Sequence, residues 1–264
     1  RDEDLRADRQ PEFTQLDLEM SFVDASDVMG VIDGLVQRLA KEHLDLDVGL
    51  PLPTMTYDEA MERFGHDAPD LRFGLEIIDC TDLATESDFG VFKSVAADGG
   101  RVRALNAKQG TKTYSRRGID ALTEYVRGLG AKGLAWFRVE EDGALVGAIA
   151  KFFSDDLLKK FAERLDAEPG DLILFSADKF DATCKVLHGL RTKIGKEMQL
   201  YDPQAMHFSW VVEFPMFAYD DEEGGWAAMH QPWTAPLAGH VELLQTDPGE
   251  CRAQAYDLGV SGRE

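Results

Sequence analysis

The chain is short of positive charge. Its 264 residues carry 28 Lys and Arg against 49 Asp and Glu, a formal net charge of −21. Proteins dedicated to nucleic-acid binding neutralise backbone phosphates with Lys and Arg and usually present a basic surface. We therefore expect any RNA contact of this chain to be local, or to be made by residues outside it.

Cysteine and long apolar runs are also scarce. Cys80, Cys184 and Cys251 are far apart, odd in number and form no CxxC pair, which argues against a disulfide framework or structural zinc. No apolar run approaches ~18 residues, so no transmembrane helix is predicted. The charged first residues do not resemble a signal peptide, and a soluble, cytoplasmic protein is the expectation.

The available charge is dense at the start of the sequence, in RDEDLRADRQPEFTQLD. Arg1, Arg6 and Arg9 are interleaved with acids, so they offer separate cations for separate phosphates. Gln15 and Asp17 lie two apart in an apolar alternation that predicts a half-buried strand, and they would share one strand face as an ammonium clamp. The ordinary alternative for such a charge run is a solvated, salt-bridged edge hairpin.

Helices and strands alternate irregularly through the rest of the chain, which predicts an α+β fold. The predicted helices include one capped by Asp24 or Ser26, a short one over 57–64, one from Ser115, and two over 155–165 and 179–194. The predicted strands are 90–95, a return strand through 102–105, a hairpin of 134–139 with 145–150, 171–175, 208–214 and a strand through 226–230.

Four phrases resemble one known family, the bacterial-type aspartyl-tRNA synthetases of class II. The opening string is close to that family's motif 2, and PLPTMTYDEAMERFGHDAPDLRFG reproduces a second phrase. AMHQPWTAP is similar to AMHHPFTSP, and AYDLGVSGRE is similar to AYDLVLNG.E. SDFGVFKSVA and GLAWFRV resemble the inserted domain, named GAD, that this family shares with the B subunit of the glutaminyl-tRNA amidotransferase.

The resemblance implies an architecture. A class II antiparallel-sheet core would be interrupted by the inserted α+β domain, with the first part of the core at 1–84, the insert at 85–203 and the second part of the core at 204–264. Anticodon barrel, motif 1 and motif 3 would lie outside these residues. The full-length protein would be a homodimer.

The resemblance also implies a site for L-aspartate, ATP, Mg²⁺ and tRNA(Asp), with tRNA(Asn) left open. The catalytic residue would be Arg1, and ATP would be contacted by Arg1, Asp2, Glu3, Gln10 and Glu264. Aspartate would be held by Gln15, Asp17 and His230, and the tRNA acceptor end by Arg6 and Arg9. Mg²⁺ would be held by Asp257 and Glu264, since carboxylates suit this ion.

Several positions depart from the family pattern. Gln231, Trp233 and Ala235 replace His, Phe and Ser, and Gln231 cannot become cationic. Gly259 and Ser261 replace a β-branched residue and Asn, and glycine weakens a strand. A truncated or diverged relative that binds RNA or a protein and catalyses nothing is therefore the alternative. An asparaginyl-type synthetase is disfavoured because that family lacks the inserted domain.

Overall fold

The computed structural model describes residues 12–220 and 223–263. The chain divides into two compact units: one is Arg1–Tyr57 together with Phe208–Glu264, and the other is Asp58–His207. We call them the split unit and the inserted unit. The domain borders expected from the sequence, after residues 84 and 203, remain a prediction.

The described residues contain eight α-helices and ten strands. The helices are α1 (Ala25–Leu44), α2 (Tyr57–Phe64), α3 (Thr81–Glu86), α4 (Gly90–Ala97), α5 (Arg116–Gly128), α6 (Asp155–Arg164), α7 (Phe180–Glu197) and α8 (Leu243–Thr246). The strands are β1 (Thr54–Thr56), β2 (Ile77–Asp79), β3 (Arg101–Ala107), β4 (Ala135–Val139), β5 (Leu145–Val146), β6 (Leu172–Asp178), β7 (Phe208–Val212), β8 (Phe217–Asp220), β9 (Gly225–Ala228) and β10 (Tyr256–Val260). None of these helices is long and apolar enough to cross a bilayer.

The split unit is built on a sheet of order β1-β7-β10, in which β1 runs parallel and β10 antiparallel to the central β7. A β8–β9 hairpin follows β7 along the chain. Helix α1 begins at a capping box, in which the Asp24 side chain accepts from the Ser26 and Asp27 N–H groups. The predicted Asp24 cap is therefore confirmed, and it satisfies amide donors that have no partner within the helix.

The inserted unit has a fully antiparallel sheet of order β2-β3-β6-β4-β5. Helices cover both faces. Ile173 and Phe175 of β6 pack in the core beside α3, α4 and α6, and Leu172 and Leu174 pack in the core beside α5 and α7. Burial on both faces explains why β6 reads as a continuous apolar run.

Buried polar groups pin the loops of the inserted unit. The Arg191 guanidinium, 0% exposed, donates to the carbonyls of Asp70, Phe73, Gly74 and Leu75. The Asp171 carboxylate, also 0% exposed, accepts from the Gln109 and Glu168 N–H groups and from the Asn106 side chain. Each charge thus replaces its lost water with several hydrogen bonds, as a buried charge must.

The mixed fold with antiparallel sheets confirms the α+β prediction, but two predicted strands are wrong. Residues 90–95 form helix α4, because Phe92 enters an aromatic cluster with Phe89, Phe153 and Phe175. Residues 13–20 have no regular secondary structure, and Leu16 is 71% exposed. A strand needs a ladder partner, and none of the described strands pairs with this segment.

Candidate active site

The candidate site of the split unit follows the ribbon formed by β7 and β10. Asp257 of β10 faces Val211 of β7, which in turn faces Met55 of β1. Directly opposed residues share a sheet face. The neighbouring residue, Trp210, lies on the other face, where its indole Nε1 donates to Asp33 of α1 at 2.7 Å. Asp257 therefore projects from the face of the sheet opposite α1.

The ribbon carries a bulge directly beyond β7. Tyr256 faces Val212, whereas the Ala253 N–H donates to the Phe214 carbonyl at 2.7 Å. Gln254 and Ala255 therefore oppose Glu213 alone, and the Glu213 φ of 60° lies in the left-handed region. Bulges and strained backbone of this kind are common beside functional sites, where they re-aim side chains.

His230 follows β9 and is fixed to the same ribbon. Its Nε2 donates to the Pro215 carbonyl at 3.0 Å, and its ring meets the Phe214 ring edge-on with 6.1 Å between centroids. Pro215 itself bridges to Arg252 on the chain leading into β10. With Nε2 carrying the proton, Nδ1 is the acceptor in the neutral ring and a second donor in the charged ring. His230 can thus contact either an ammonium or a carboxylate.

The end of β10 is better formed than its sequence suggests. Every residue from Tyr256 to Val260 pairs with β7 in spite of Gly259. The chain then reverses through Ser261 and Gly262, whose φ values are 52° and 86°. The Val260 and Arg263 backbones bond to each other in both directions, at 2.6 and 3.2 Å. Positive φ at both central residues is the signature of a type I′ hairpin turn.

The pair expected to clamp the aspartate ammonium is not organised by a strand. Gln15 and Asp17 are both exposed and lie in the irregular segment 13–20. The expectation that a strand gives them a common face is therefore wrong. Their assignment to aspartate binding remains a prediction that rests on the resemblance.

The family model for class II tRNA synthetases (D, K and N) matches residues 1–264. The chain belongs to this family. The curated relatives that it resembles include the aspartate–tRNA(Asp/Asn) ligase of Rhodopirellula baltica, which is 56% identical over all of this chain and 45% of that protein. The aspartate–tRNA(Asp/Asn) ligase of Anoxybacillus flavithermus is 50% identical, and the aspartate–tRNA ligase of Bacillus licheniformis is 47% identical, each over all of this chain and 44% of that protein. The chain thus spans less than half the length of these relatives.

The residues predicted to hold ATP and the tRNA acceptor end all fall outside the described part of the chain. They are Arg1, Asp2, Glu3, Arg6, Arg9, Gln10 and Glu264. Of the predicted site residues that are described, His230 and Asp257 are attached to the β7–β10 ribbon, at its bulged end and within its paired part respectively.

No group of three or more His, Cys, Asp or Glu side chains with metal-binding geometry occurs among the described residues. Mg²⁺ does not require one, because it is held by one or two carboxylates together with waters and substrate phosphates. The half-buried Asp257 is one of the two carboxylates predicted to hold it, and this assignment stays a prediction. The second predicted carboxylate, Glu264, lies outside the described residues.

Part of the phrase AMHQPWTAP, which departs from the family pattern at three positions, is exposed to solvent. Gln231 is exposed and the Trp233 side chain is 81% exposed, whereas the Ala235 carbonyl accepts from the Gln254 N–H at 2.8 Å. The Gln254 side chain also donates to the Pro236 carbonyl. The segment after His230 is therefore tied by its backbone to the bulge, a link that no sequence pattern revealed.

Two of the described cysteines, Cys80 and Cys251, are not activated nucleophiles. Burial raises the pKa of the Cys251 thiol, and burial raises the pKa of Cys80 to about 12. Both thiols therefore stay protonated at neutral pH, and a thiol is a much weaker nucleophile than a thiolate.

Proposed function

We propose that the full-length protein is an aspartate–tRNA ligase, which activates L-aspartate with ATP and transfers it to the 3′ end of tRNA. Family membership supports the reaction class, and the relatives' names support the amino acid. The structural observation that supports aspartate binding is the orientation of the His230 ring. Its Nε2 donates to the Pro215 carbonyl, which leaves Nδ1 for a ligand.

The proposed reaction has two steps. An oxygen of the aspartate α-carboxylate bonds to the α-phosphorus of ATP, the bond from that phosphorus to the bridging oxygen breaks, and pyrophosphate leaves with the electron pair. The terminal ribose hydroxyl of tRNA then attacks the aspartyl carbonyl and AMP leaves. Positioning and electrostatic stabilisation suffice for both steps. Arg1 is the residue we assign to the charge on the α-phosphate and the carboxylate.

Asp257 and Glu264 are the residues that would hold Mg²⁺ in this proposal. When bound, the ion would neutralise negative charge on the ATP phosphates. Within this chain, Asp2, Glu3 and Gln10 are assigned to ATP, and Gln15, Asp17 and His230 to aspartate. In its neutral form, the His230 ring accepts a hydrogen bond from the ammonium at Nδ1. In its charged form, it donates a hydrogen bond from Nδ1 to a carboxylate.

We assign tRNA(Asp) as the tRNA partner, with Arg6 and Arg9 facing its acceptor end. Acceptance of tRNA(Asn) is an open part of the proposal, because the names of the relatives include both tRNA(Asp/Asn) and unqualified tRNA ligases. A homodimer and a cytoplasmic location complete the proposal. The net charge of −21 supports an RNA contact confined to few cations.

The experiment is steady-state charging of tRNA by the full-length protein and its variants. His230→Ala should raise the KM for aspartate by about 10-fold or more, the loss of one charge-assisted contact, with little change in the KM for ATP. Asp257→Asn should lower kcat and raise the Mg²⁺ concentration needed for half-maximal rate. His43→Ala, an exposed position on α1, is the control.

Equal KM values for aspartate in His230→Ala and the wild type would remove His230 from the site. A folded full-length protein that charges neither tRNA(Asp) nor tRNA(Asn) would instead favour a non-catalytic relative. The substitutions at Gln231, Trp233 and Ala235 motivate that second candidate.

A further inference from the structure

A second site candidate lies within the inserted unit, far along the chain from the residues assigned to catalysis. A cavity of about 640 Å³ is bounded by α4, by the segment 129–135 and by the first half of α7. The last residues of β6, from Phe175 to Asp178, line it as well. A cavity of this size is in the range that accommodates a drug-sized ligand or a short stretch of peptide.

The β6 strand has a free edge at this cavity. On one side, β3 pairs with β6 along its whole length, from Leu172 to Asp178. On the other side, β4 pairs only with Leu172 to Phe175, because β4 begins at Ala135, which faces Phe175. The final three residues of β6 therefore have a neighbouring strand on one side only.

Hydrogen bonding on the other strand shows which way the Ala177 backbone points. Val102 of β3 faces Ala177, but the Val102 N–H donates to Thr81 Oγ1 at 2.9 Å and its carbonyl accepts from the Cys80 N–H at 2.8 Å. Opposed residues of an antiparallel pair exchange both backbone bonds or neither. The Ala177 N–H and C=O must therefore point away from β3, toward the side where β4 has ended.

Neither backbone group of Ala177 has a hydrogen-bond partner in the part of the chain that the structure describes. One donor and one acceptor, spaced as in a strand, thus line the cavity beside apolar side chains of Phe92, Val95 and Val186. An unpaired strand edge of this kind is a template for an added strand.

The charges around the cavity favour an acidic occupant. Lys132 and Lys185 line it, are exposed, and form no ion pair with any described residue. One carboxylate, Asp178, also lines it, but its Oδ1 accepts from the Lys179 N–H at 2.8 Å. The side chains that line the cavity, two lysines and one aspartate, thus carry one net positive charge in a chain of net charge −21.

We propose that this cavity is a docking groove for an extended, acidic peptide segment of a partner protein, which adds a strand beside Ala177. The peptide backbone exchanges two hydrogen bonds with Ala177. Apolar side chains at alternate peptide positions face α4 and pack on Phe92 and Val95, and carboxylates at the intervening positions, on the face of the sheet that α7 covers, meet Lys185 and Lys132. Two cations are too few to follow an RNA backbone, so a peptide is the occupant that these features favour.

The probe is a blocked pentapeptide in which aspartate and valine alternate, titrated into the 264-residue chain and followed by amide NMR and hydrogen exchange. Saturation should shift the Ala177 amide resonance and slow its exchange by about tenfold or more. Two further peptides carry N-methyl groups on alternate amides, one at the odd positions and one at the even positions. Only the peptide whose methylated amides face Ala177 should bind more weakly, by about tenfold or more. A pentapeptide of alternating lysine and valine is the charge control.

Single charge reversals test whether peptide binding depends on the lysines of the groove or on the overall charge of the protein. Lys132→Glu and Lys185→Glu should each weaken binding about fivefold. Lys112→Glu, which changes an equally exposed and unpaired lysine outside the cavity, should leave binding unchanged.

Absence of binding at millimolar peptide would overturn the proposal. Equal affinity of the two N-methylated peptides, together with unchanged affinity in Lys132→Glu and Lys185→Glu, would also overturn it. Protection of Ala177 by a single-stranded RNA oligonucleotide but not by the peptide would overturn it in favour of an RNA site.

Discussion

The Asp33 carboxylate accepts a 2.7 Å hydrogen bond from the Trp210 indole across 177 positions of sequence. Both side chains are buried, and the other Asp33 oxygen accepts from the Leu52 N–H at 3.1 Å. The bond joins the segment before the inserted unit to the segment after it. The split unit is therefore held together by a polar contact as well as by its sheet.

Breaking this contact should cost more than removing an exposed carboxylate from the same helix. Asp33→Ala leaves the indole N–H and the Leu52 N–H without partners, and we expect a loss of about 2–3 kcal/mol in the free energy of unfolding. Glu42→Gln, which disturbs only a surface pair with Arg38, should cost less than about 0.5 kcal/mol. Urea unfolding of both variants measures the difference, and equal midpoints would contradict the assigned role of Asp33.

Arg191 should be the most sensitive charged position of the inserted unit. Its guanidinium lies between the Phe64 and Phe73 rings, at 4.9 and 4.2 Å from their centroids. Burial lowers its pKa to about 10, so it remains charged at neutral pH. Arg191→Met would leave several buried carbonyls unpaired.

We expect Arg191→Met to lower the unfolding free energy by about 3–5 kcal/mol. Arg191→Lys should recover only part of this loss, because an ammonium has neither the planar fork nor the stacking surface. Lys196→Met, an exposed position on the same helix, is the control. Thermal unfolding followed by circular dichroism compares the variants. An Arg191→Met variant as stable as the wild type would contradict the role assigned to the hydrogen bonds of Arg191.

His188 should make the inserted unit sensitive to mild acid. Its ring stacks on His66 with 4.3 Å between centroids, and its buried Nδ1 has no partner among the described residues. Burial, followed by the charges of His66 and Arg191, lowers the His188 pKa from 6.5 to about 4, although Asp70 and a bond to the Phe64 backbone oppose the shift.

Between pH 6.5 and 4 the unfolded chain binds a proton at His188 that the folded chain does not, so stability falls as the pH falls through this window. The loss attributable to His188 should reach about 3 kcal/mol at the lower end. Unfolding free energies from pH 7.5 to 4.5 should therefore decline less steeply for His188→Gln than for His43→Gln. Parallel declines in the two variants would exclude this source of acid sensitivity.

Two substitutions at the end of β10 should stabilise the protein. A Cβ on Gly259 would meet only ordinary contacts of 3.5 Å or more, and its φ is not positive. Gly259→Ala should therefore add about 0.5–1 kcal/mol by restricting the unfolded chain.

Ser261 adopts a φ of 52°, a conformation that Asn accepts more readily than Ser. Ser261→Asn should add stability of a few tenths of a kcal/mol or more through the turn. Ser261→Val is the opposing control, because a β-branched residue is strained at positive φ. A stabilising valine and a destabilising asparagine, measured by urea midpoints, would contradict the type I′ assignment.

Local signals allowed several elements to be predicted from sequence. The apolar spacing over 57–64 and the Asp24 cap each define a helix end or face without reference to distant residues. The strand predicted over 90–95 is wrong, because the β-branched and aromatic residues of this segment favour a strand while the packing of Phe92 selects a helix.

Long-range features had no sequence signal. The Glu213 bulge depends on how Gln254 and Ala255 meet β7, and the Asp33–Trp210 bond depends on closure of the sheet across the inserted unit. The resemblance identified His230 and Asp257 as candidates. The orientation of the His230 ring could not be predicted, because it depends on the position of the Pro215 carbonyl in the fold.

Exchange of labelled pyrophosphate into ATP by the full-length protein, with aspartate, asparagine and lysine as separate substrates, tests whether aspartate is the amino acid that the protein activates. These are the three amino acids of the family to which the chain belongs. The account predicts exchange with aspartate and at least about a hundredfold less with asparagine or lysine, because a site built for a carboxylate side chain leaves charges unpaired against an amide or ammonium. Exchange that depends on lysine or asparagine, or no exchange by a folded full-length protein, would contradict it.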